Sequence, residues 1–334
     1  MDFLPDADQD ALSEATRQYI QSRVPLADSI ARLDDIRWKE ISELGWLGLA
    51  AAEDAGGAGA TLLDEVFVFR EIGRGLVPGP ILTTLAAARL AAWTGDTALS
   101  AELIGGQARV SRAVPLPGDD DRLLVLDPED SALVLVVDAD RAALYTTPQH
   151  LEPSAGLEDE TSVGHTGRAE LGAASVVADD DRTPARLRRV LSILTSAQLA
   201  GICGATRDLA TEFAKNRVQF GKPIGAFQAI KHKCADMATN ALAADNVTFF
   251  AALTETSEES DADYCALAAA SCCRRAAFAN ARANVQIHGA MGFTVEDSAH
   301  RFVKRTHTLC ATESFDRAAG LLGGLPSAQT SEEA

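Results

Sequence analysis

The chain has 334 residues, of which 47% are hydrophobic, so it is long enough for two or three domains with a large buried core. Its formal net charge of −18 argues against nucleic-acid binding, because that binding depends on basic side chains that neutralise phosphates. The first residues carry no basic, apolar leader pattern, and no run is long enough to cross a bilayer. We therefore predict a cytoplasmic protein without membrane insertion.

Residues 1–105 are predicted to form an N-terminal helical domain. Apolar side chains recur at helical spacing over residues 12–24 and again over residues 36–47. A further helix includes Val66, Phe69 and Gly73, and another short one covers residues 85–93. The glycine-rich stretch at residues 55–59 follows no predicted strand, so we interpret it as a connection and not as a dinucleotide-binding turn.

Residues 106–182 are predicted to form a small middle β domain. Short Val-rich runs at residues 123–126, 132–137, 142–145 and 174–177 predict strands, because Asp, Pro and Ser bound each run. We interpret the acidic runs Asp119–Asp121 and Asp179–Asp181 as solvated turns. Their consecutive carboxylates lack the loop spacing of a cation site, so we predict no metal site.

Residues 183–323 are predicted to form a C-terminal four-helix bundle, and residues 324–334 a flexible tail. The predicted helices cover residues 185–216, 226–254, 262–288 and 295–322, with short connections between them. Pro184 suits a helix start, with Thr183 or Asp181 as its cap. The predicted fold class is therefore mostly α with a small central β domain.

Cysteines and basic clusters add two further expectations. The six cysteines lie in apolar helical patterns without a Cys-x-x-Cys pair, which predicts buried, reduced thiols. Three arginines within residues 186–189 form one basic cluster, and Arg301, Lys304 and Arg305 form another at helical spacing. Each cluster is consistent with phosphate binding or with an ordinary solvated helix face.

The most distinctive motif lies between the first two bundle helices. On chemistry alone it is an ordinary helix–helix corner, because Gly221 and Pro223 end the first helix. The motif reads Arg217-Val218-Gln219-Phe220-Gly221-Lys222-Pro223-Ile224 and continues Phe227-Gln228-Ala229-Ile230-Lys231. A second motif, near the end of the third helix, reads Gln286-Ile287-His288-Gly289-Ala290-Met291-Gly292-Phe293. Two others are N-terminal: Glu43-Leu44-Gly45-Trp46-Leu47-Gly48 and Glu71-Ile72-Gly73-Arg74.

Together, in this order, the motifs resemble those of the flavin-dependent acyl-CoA dehydrogenases. The resemblance implies an FAD-dependent α,β-dehydrogenation of an acyl-CoA thioester, with electron-transfer flavoprotein as the electron acceptor. The short length and divergent middle are similar to the smaller chain of two-gene actinobacterial enzymes. Those enzymes form α2β2 heterotetramers and oxidise bulky substrates such as steroid side-chain CoA thioesters. A homo-oligomer is the alternative assembly.

The resemblance also assigns roles to particular residues. It implies that Arg217 pairs with the flavin pyrophosphate, a task that suits a guanidinium. The same resemblance places the catalytic base at Glu313, counted without a gap from Gln286. The other implied nucleotide contacts are Gln219, Phe220 and Gln228 on the corner and Gln286, Gly289 and Ala290 on the next helix. In this family these nucleotide contacts usually reach the flavin of a neighbouring subunit.

Three departures from the family pattern leave two functions open. The middle-domain stretch that holds the flavin ring is replaced by residues 111–119, and the Trp-x-x-Asn-Gly stretch is missing. The family's Glu-Gly-Thr is here Glu313-Ser314-Phe315. The chain is therefore either a catalytic subunit with Glu313 as base or a non-catalytic subunit that completes the flavin site of a homologous partner. We interpret His288 as a packing or hydrogen-bonding residue.

Overall fold

The structure is a computed structural model that describes residues 5–28, 32–159, 161–257 and 261–312. These ranges are mostly helical with one main sheet, which confirms the predicted fold class. The helices are α1 (Ala7–Arg23), α2 (Asp35–Glu43), α3 (Leu62–Gly75), α4 (Ile81–Trp93), α5 (Thr97–Ile104), α6 (Thr183–Asn216), α7 (Gln228–Thr256), α8 (Ala262–His288) and α9 (Ala299–Ala311).

A seven-stranded sheet lies between the N-terminal helices α1–α5 and the C-terminal helices α6–α9 in the chain order. Its spatial order is β5-β6-β2-β1-β3-β4-β7, with β1 parallel to β3 and the other neighbours antiparallel. Its strands are β1 (Val110–Leu116), β2 (Asp119–Leu126), β3 (Leu133–Val137), β4 (Ala142–Thr146), β5 (Glu152–Ser154), β6 (Val163–Gly167) and β7 (Ala174–Ala178). A separate two-residue pair, β8 (Val218–Gln219) and β9 (Lys222–Pro223), interrupts the bundle.

The sheet differs from the prediction in two ways. Strands β1, β5 and β6 were not predicted, and the interpretation of Asp119–Asp121 as a turn is wrong. These three residues begin β2, and Leu116 pairs with Asp119 across the hairpin. The reversal lies just before them at Gly118, whose φ of 82° is in the left-handed region. The carboxylates stay solvated because the start of β2 is exposed.

Helix starts in the bundle also differ from the prediction: α6 begins at Thr183, α7 at Gln228 and α9 at Ala299, against predicted starts at 185, 226 and 295. Neither Thr183 nor Asp181 caps α6, because Asp180 Oδ1 accepts hydrogen bonds from the backbone N–H groups of Arg182 at 2.8 Å and Thr183 at 2.7 Å. A 3₁₀ turn at Ile224–Ala226 delays the start of α7 to Gln228. Most of the predicted fourth helix beyond Ala311, and the predicted tail, lie outside the described residues.

Helix α6 is the central element of the core. Val190, Ile193 and Leu194 belong to the cluster that joins it to α3 and α8. Leu187 and Leu191 pack with the sheet residues Leu135 and Leu144. Further along, its small and aliphatic side chains pack with α8 and α9 in a third cluster. One continuous helix therefore contacts all three layers of the fold.

Helices α3 and α6 cross closely because both carry glycine at the contact. A Cβ atom added to Gly201 would lie 1.9 Å from Arg70 O, and one added to Gly73 would lie 2.1 Å from Gln198 O. Both distances are far below any real contact, so the helix backbones can approach only without side chains at these positions. This crossing gives Gly73 of the Glu71–Arg74 motif a packing role.

Neither basic cluster forms a free phosphate-binding or solvated face. Arg189 is ion-paired with Glu255 and Asp263, and Arg188 donates to two carbonyl oxygens that follow β3. Arg301 donates to Leu26 O at 2.5 Å and is buried. The clusters therefore connect separate elements, because each guanidinium reaches an acceptor far away in the sequence.

Three smaller features are the burial of the cysteines, the apolar character of the helices and the grouping of metal-ligating side chains. Cys203, Cys265, Cys273 and Cys310 are buried free thiols, as predicted, whereas Cys234 and Cys272 are only partly buried. Among the helices of the described ranges, none combines the length and apolar character that a membrane span requires. Within the same ranges no three His, Cys, Asp or Glu side chains group around a position that could hold a metal ion.

The α3–α6 crossing predicts that Gly201→Ala lowers the free energy of unfolding by about 1–3 kcal/mol, because overpacking forces the helices apart. Gly167→Ala is the matched control, since a Cβ there would have its nearest neighbour at an ordinary 3.6 Å. Urea denaturation of both variants measures the difference. Equal stabilities would contradict the assigned role of the crossing.

Candidate functional site

The predicted nucleotide-binding corner is a tight hairpin between α6 and α7. Val218 pairs with Pro223 and Gln219 with Lys222, so only Phe220 and Gly221 form the turn. Both turn residues have positive φ, 53° for Phe220 and 77° for Gly221. Positive φ at both central positions is the pattern of a type I′ turn, which usually carries Asn-Gly or Gly-Gly.

Phe220 is unusual in both its backbone and its exposure. A bulky residue with left-handed φ is an outlier that costs on the order of 1–3 kcal/mol, and such outliers concentrate at functional sites. Its side chain is nevertheless 90% exposed and lies edge-on to Phe227, at 6.1 Å between ring centroids. Folding of this chain alone gives no reason for an aromatic side chain here, so the corner points to a ligand or partner.

Arg217 lies at the first residue after α6. Its backbone is fixed, because its N–H donates to Phe213 O at 2.9 Å and its carbonyl accepts from Ile224 N–H at 2.8 Å. Its side chain is exposed, and among the described residues it forms no ion pair. Gln219 and Gln228 are exposed on the same corner. The corner therefore combines a rigid backbone with a cation and two amides that face solvent.

The end of α8 is packed against this corner. Phe213 stacks on His288 with 4.2 Å between ring centroids, and Ile287 packs in one cluster with Phe213 and Ile224. His288 Nδ1 lies 2.9 Å from Asn284 O, which confirms the packing and hydrogen-bonding role predicted for this histidine. The structure thus places the two nucleotide-contact segments side by side.

Within the second segment, Gln286, Gly289 and Ala290 are all exposed. Gly289 ends α8 with a φ of 64°, which only glycine adopts easily. No hydrogen bond joins these residues to Arg217, Gln219 or Gln228 within the described part of the chain. The set is therefore brought onto one end of the bundle but does not form a closed pocket by itself.

An exposed guanidinium, amides and an aromatic face suit a nucleotide. Arginine recognises phosphate through paired charge-assisted hydrogen bonds, and flat aromatic rings stack with bases. The corner and the end of α8 therefore fit the nucleotide half of a flavin cofactor, provided that another surface covers the opposite side. The candidate contacts are Arg217, Gln219, Phe220, Gln228, Gln286, Gly289 and Ala290.

A second region lies where the N-terminal helices, the sheet and the bundle meet, and we call it the junction. Its cavity lies beside Arg112 of β1, within the segment that replaces the family's flavin-ring stretch. The cavity measures about 90 Å³, whereas ligand pockets measure roughly 300–1,000 Å³. It is lined on its different sides by Phe69, Gly79, Leu82, Arg112, Asp127, Thr161, Leu191, Gln198, Arg305 and Thr312, among others.

Buried charges fill the space beside this cavity. Arg305 of α9 donates from Nε to both oxygens of Glu158, at 3.0 and 2.8 Å, and from Nη1 to Val77 O at 3.0 Å. Asp127, which follows β2 with a φ of 53°, lines the cavity next to this pair. Burial raises the pKa of Asp127 to about 7, while Arg305 opposes the shift and Glu158 adds to it.

The junction does not fit a flavin ring. The cavity of about 90 Å³ is too small for a three-ring system. An adjoining cavity of about 400 Å³ shares Gly79 and Asp127 with it, but most of its lining side chains are charged, which does not suit a flat ring. An ion pair with both partners buried stands beside the smaller cavity. Thr312 lines the cavity, but Glu313, the predicted catalytic base, lies outside the described residues. The junction and the corner are also separated along α6, since Thr195 and Arg217 are roughly 33 Å apart at 1.5 Å per helical residue.

Sequence reasoning did not find Glu158 or Asp127 as site residues. Arg305 was part of a recognised basic cluster, but its spacing indicated a helix face and not a buried pair. The signal for Asp127 was the Asp127-Pro128 dipeptide directly after the apolar run at residues 123–126.

Two family models match this chain. Residues 6–103 match the acyl-CoA dehydrogenase N-terminal domain, and residues 191–313 match the acyl-CoA dehydrogenase C-terminal domain. Acyl-CoA dehydrogenase IpdE2 of Mycobacterium tuberculosis is 32% identical over 82% of this chain and 81% of its own length. Acyl-CoA dehydrogenase FadE34 of the same organism is 30% identical over 95% of this chain. The chain spans only 46% of FadE34.

Solved structures share the fold. The ChsE4-ChsE5 complex from Mycobacterium tuberculosis has a chain with a TM-score of 0.81 and 21% identity, over 98% of this chain and 100% of that chain. The Tcur3481-Tcur3483 steroid ACAD has a TM-score of 0.81 and 22% identity, over 95% of this chain and 97% of that chain. At these identities the likeness establishes the fold alone.

The raised pKa of Asp127 predicts a pH-dependent effect of Asp127→Asn. The carboxyl takes up a proton on folding between its ordinary pKa of 3.8 and about 7. Its contribution to stability is thus fully present below pH 3.8 and is lost as the pH rises to about 7. Asn is neutral throughout, so the stability of the variant relative to wild type should rise from about pH 5 to about pH 8.

Urea denaturation at both pH values measures this difference. Asp130→Asn is the matched control for the substitution itself, because Asp130 also has left-handed φ, 63°, but is exposed. If Asp127→Asn shifts stability by the same amount at both pH values, Asp127 is not the titrating group.

Proposed function

The chain belongs to the acyl-CoA dehydrogenase family, and we propose that it is the flavin-completing subunit of a hetero-oligomeric acyl-CoA dehydrogenase. In this proposal its corner binds the nucleotide half of a flavin whose ring is held by a homologous partner chain. The complex oxidises an acyl-CoA thioester between its α and β carbons. FAD supplies the electron sink, which no amino-acid side chain provides.

The contrast between the two candidate regions carries the proposal. The corner presents Arg217 and a strained, outward Phe220 to solvent, whereas the buried pair of Arg305 and Glu158 occupies the junction. Roughly 33 Å of helix α6 separates these two regions. We therefore infer that the corner serves a flavin whose ring lies in another chain.

This chain's own residues would bind and orient the nucleotide. Arg217 would hold the pyrophosphate, because a guanidinium can donate to two phosphate oxygens at once. Phe220 would stack with or cover the flat part of the nucleotide, and Gln219 and Gln228 would donate to its polar edges. From α8, Gln286, Gly289 and Ala290 would contact the same moiety.

The assembly and substrate follow from the same proposal. We assign an α2β2 heterotetramer with a homologous subunit, electron-transfer flavoprotein as the acceptor, and a bulky acyl-CoA such as a steroid side-chain thioester. Similarity to structures described as a two-component complex and as a steroid ACAD supports these assignments. The apolar side chains left exposed on both nucleotide-contact segments also support a covering partner. They are Val218, Phe220, Met291 and Phe293.

A second candidate function is a catalytic subunit with Glu313 as the base. The observation in its favour is that Thr312, the preceding residue, lines the junction cavity. Loss of a general base costs a factor of about 10² to 10⁴ in rate. A base on the partner chain, by contrast, makes Glu313 dispensable.

The nucleotide role predicts that Arg217→Ala lowers flavin occupancy in the complex co-expressed with a homologous partner. A hydrogen-bonded charged contact contributes about 1.5–3 kcal/mol, so flavin affinity should fall roughly tenfold to a hundredfold. Flavin absorbance per mole of complex measures occupancy. Arg122→Ala is the control, because Arg122 is an exposed arginine of β2 whose ion-pair partner, Glu152, is exposed as well.

Wild-type chain expressed alone should bind little flavin, since it offers only the nucleotide half of a site. A yellow, fully loaded homo-oligomer with turnover of its own would refute the hetero-oligomer. Unchanged occupancy in Arg217→Ala would make Arg217 an ordinary residue of a helix corner.

Glu313→Gln tests which chain supplies the base. We expect steady-state turnover of the co-expressed complex to change less than about twofold, because the substitution keeps size and removes only basicity from a chain without a ring pocket. The equivalent carboxylate-to-amide change in the partner chain is the positive control. A rate loss of about 10² or more in Glu313→Gln would establish the catalytic-subunit alternative.

A further inference from the structure

The pair of Arg305 and Glu158 ties together all three layers of the fold. Arg305 belongs to α9 of the bundle, Glu158 to the loop between β5 and β6, and Val77 follows α3 of the N-terminal helices. The guanidinium contacts both of the others, with distances of 2.8–3.0 Å. Arg305 is 6% exposed and Glu158 4% exposed, so water does not screen their interaction.

The loop that carries Glu158 is itself fixed at the cavity. Thr161 Oγ1 donates to Glu158 Oε1 at 3.1 Å, and Ser162 O accepts from Asp127 N–H at 2.8 Å. Thr161 and Asp127 both line the cavity. The carboxylate is therefore held from two sides, by the bundle and by its own loop, and this arrangement forms one wall of the junction.

A buried ion pair is poor evidence of stabilisation, because desolvation of two charges offsets most of their attraction. Breaking such a pair is different, since one charge then stays buried without a partner. The cost corresponds to a factor of roughly a hundred or more in the folding equilibrium. Any ring that entered the junction from the bundle side would have to separate these layers, and so would meet this penalty.

We propose that Arg305, Glu158 and the carbonyl of Val77 form an interdomain clamp that keeps the ring pocket of this chain closed. The clamp replaces a bound ring as the element that holds the three layers together. This inference rests on the proposed function, because it explains why the chain can complete a partner's flavin site without loading one of its own.

Hydrogen exchange followed by mass spectrometry on the full chain tests the clamp, with FAD itself as the probe. The informative amides are those of Val77, Asp127 and Thr308, because they lie on the three layers that the clamp joins and line the cavity. The N–H groups of Val77 and Asp127 are hydrogen-bonded to backbone carbonyls, and Thr308 lies within α9. Exchange at these amides should be slow in wild type. It should not change when saturating FAD is added, because the ring cannot enter.

Arg305→Met should speed exchange at these three amides by roughly a hundredfold or more, because it leaves Glu158 buried and unpaired. Arg305→Lys keeps the charge but not the forked donors, so it should give a smaller acceleration and serves if Arg305→Met does not fold. The matched control is Arg122→Met, which breaks the exposed contact between Arg122 and Glu152. It should leave junction exchange unchanged.

Two results would overturn the clamp: slower exchange at the junction of wild type on addition of FAD, or Arg305 variants that exchange no faster than Arg122→Met. Neither result bears on the corner. The proposed function is tested separately, by measuring whether the backbone amides of Gln219, Gln228 and Gln286 exchange more slowly in the flavin-loaded complex with a homologous partner. Loss of that protection would refute the proposed function and leave the clamp standing.

Discussion

The continuity of helix α6 is the constraint on which the arrangement of this protein depends. The helix runs from Thr183 to Asn216 without a break, and its side chains pack successively with the sheet, the N-terminal helices and the bundle. A continuous helix is a rigid spacer, so it fixes where the junction and the corner lie relative to each other. The close glycine crossing with α3 holds this spacer against the N-terminal helices.

In the proposed function, this spacing lets one chain keep one half of a cofactor site and lose the other. The corner depends on local packing among Phe213, Ile224 and Ile287, which is independent of what fills the junction. The junction depends on contacts between elements that are distant in sequence. Changes at the junction therefore leave the packing of the corner intact, which is what the proposed function requires.

The sequence predicted those parts of the fold whose signals are local. Helices α6, α7 and α8 have long apolar patterns, and β3 and β4 are apolar, Val-rich or Ala-rich runs. Strand β5 was not predicted because Glu152–Ser154 is a short, exposed edge segment without an apolar pattern. The Arg305–Glu158 pair was not predicted because its partners are 147 residues apart, and helical spacing cannot show such a contact.

The turn at Phe220 and Gly221 has a consequence for how this protein can be altered. A sequence selected for folding stability alone would carry Asn or Gly at the first turn position, since both adopt left-handed φ at little cost. An aromatic side chain there lowers the folding stability of the chain and adds an exposed apolar surface that another molecule could bind. Sequences stabilised by consensus or design would replace this ring early, and under the proposed function they would lose association while they gained thermal tolerance.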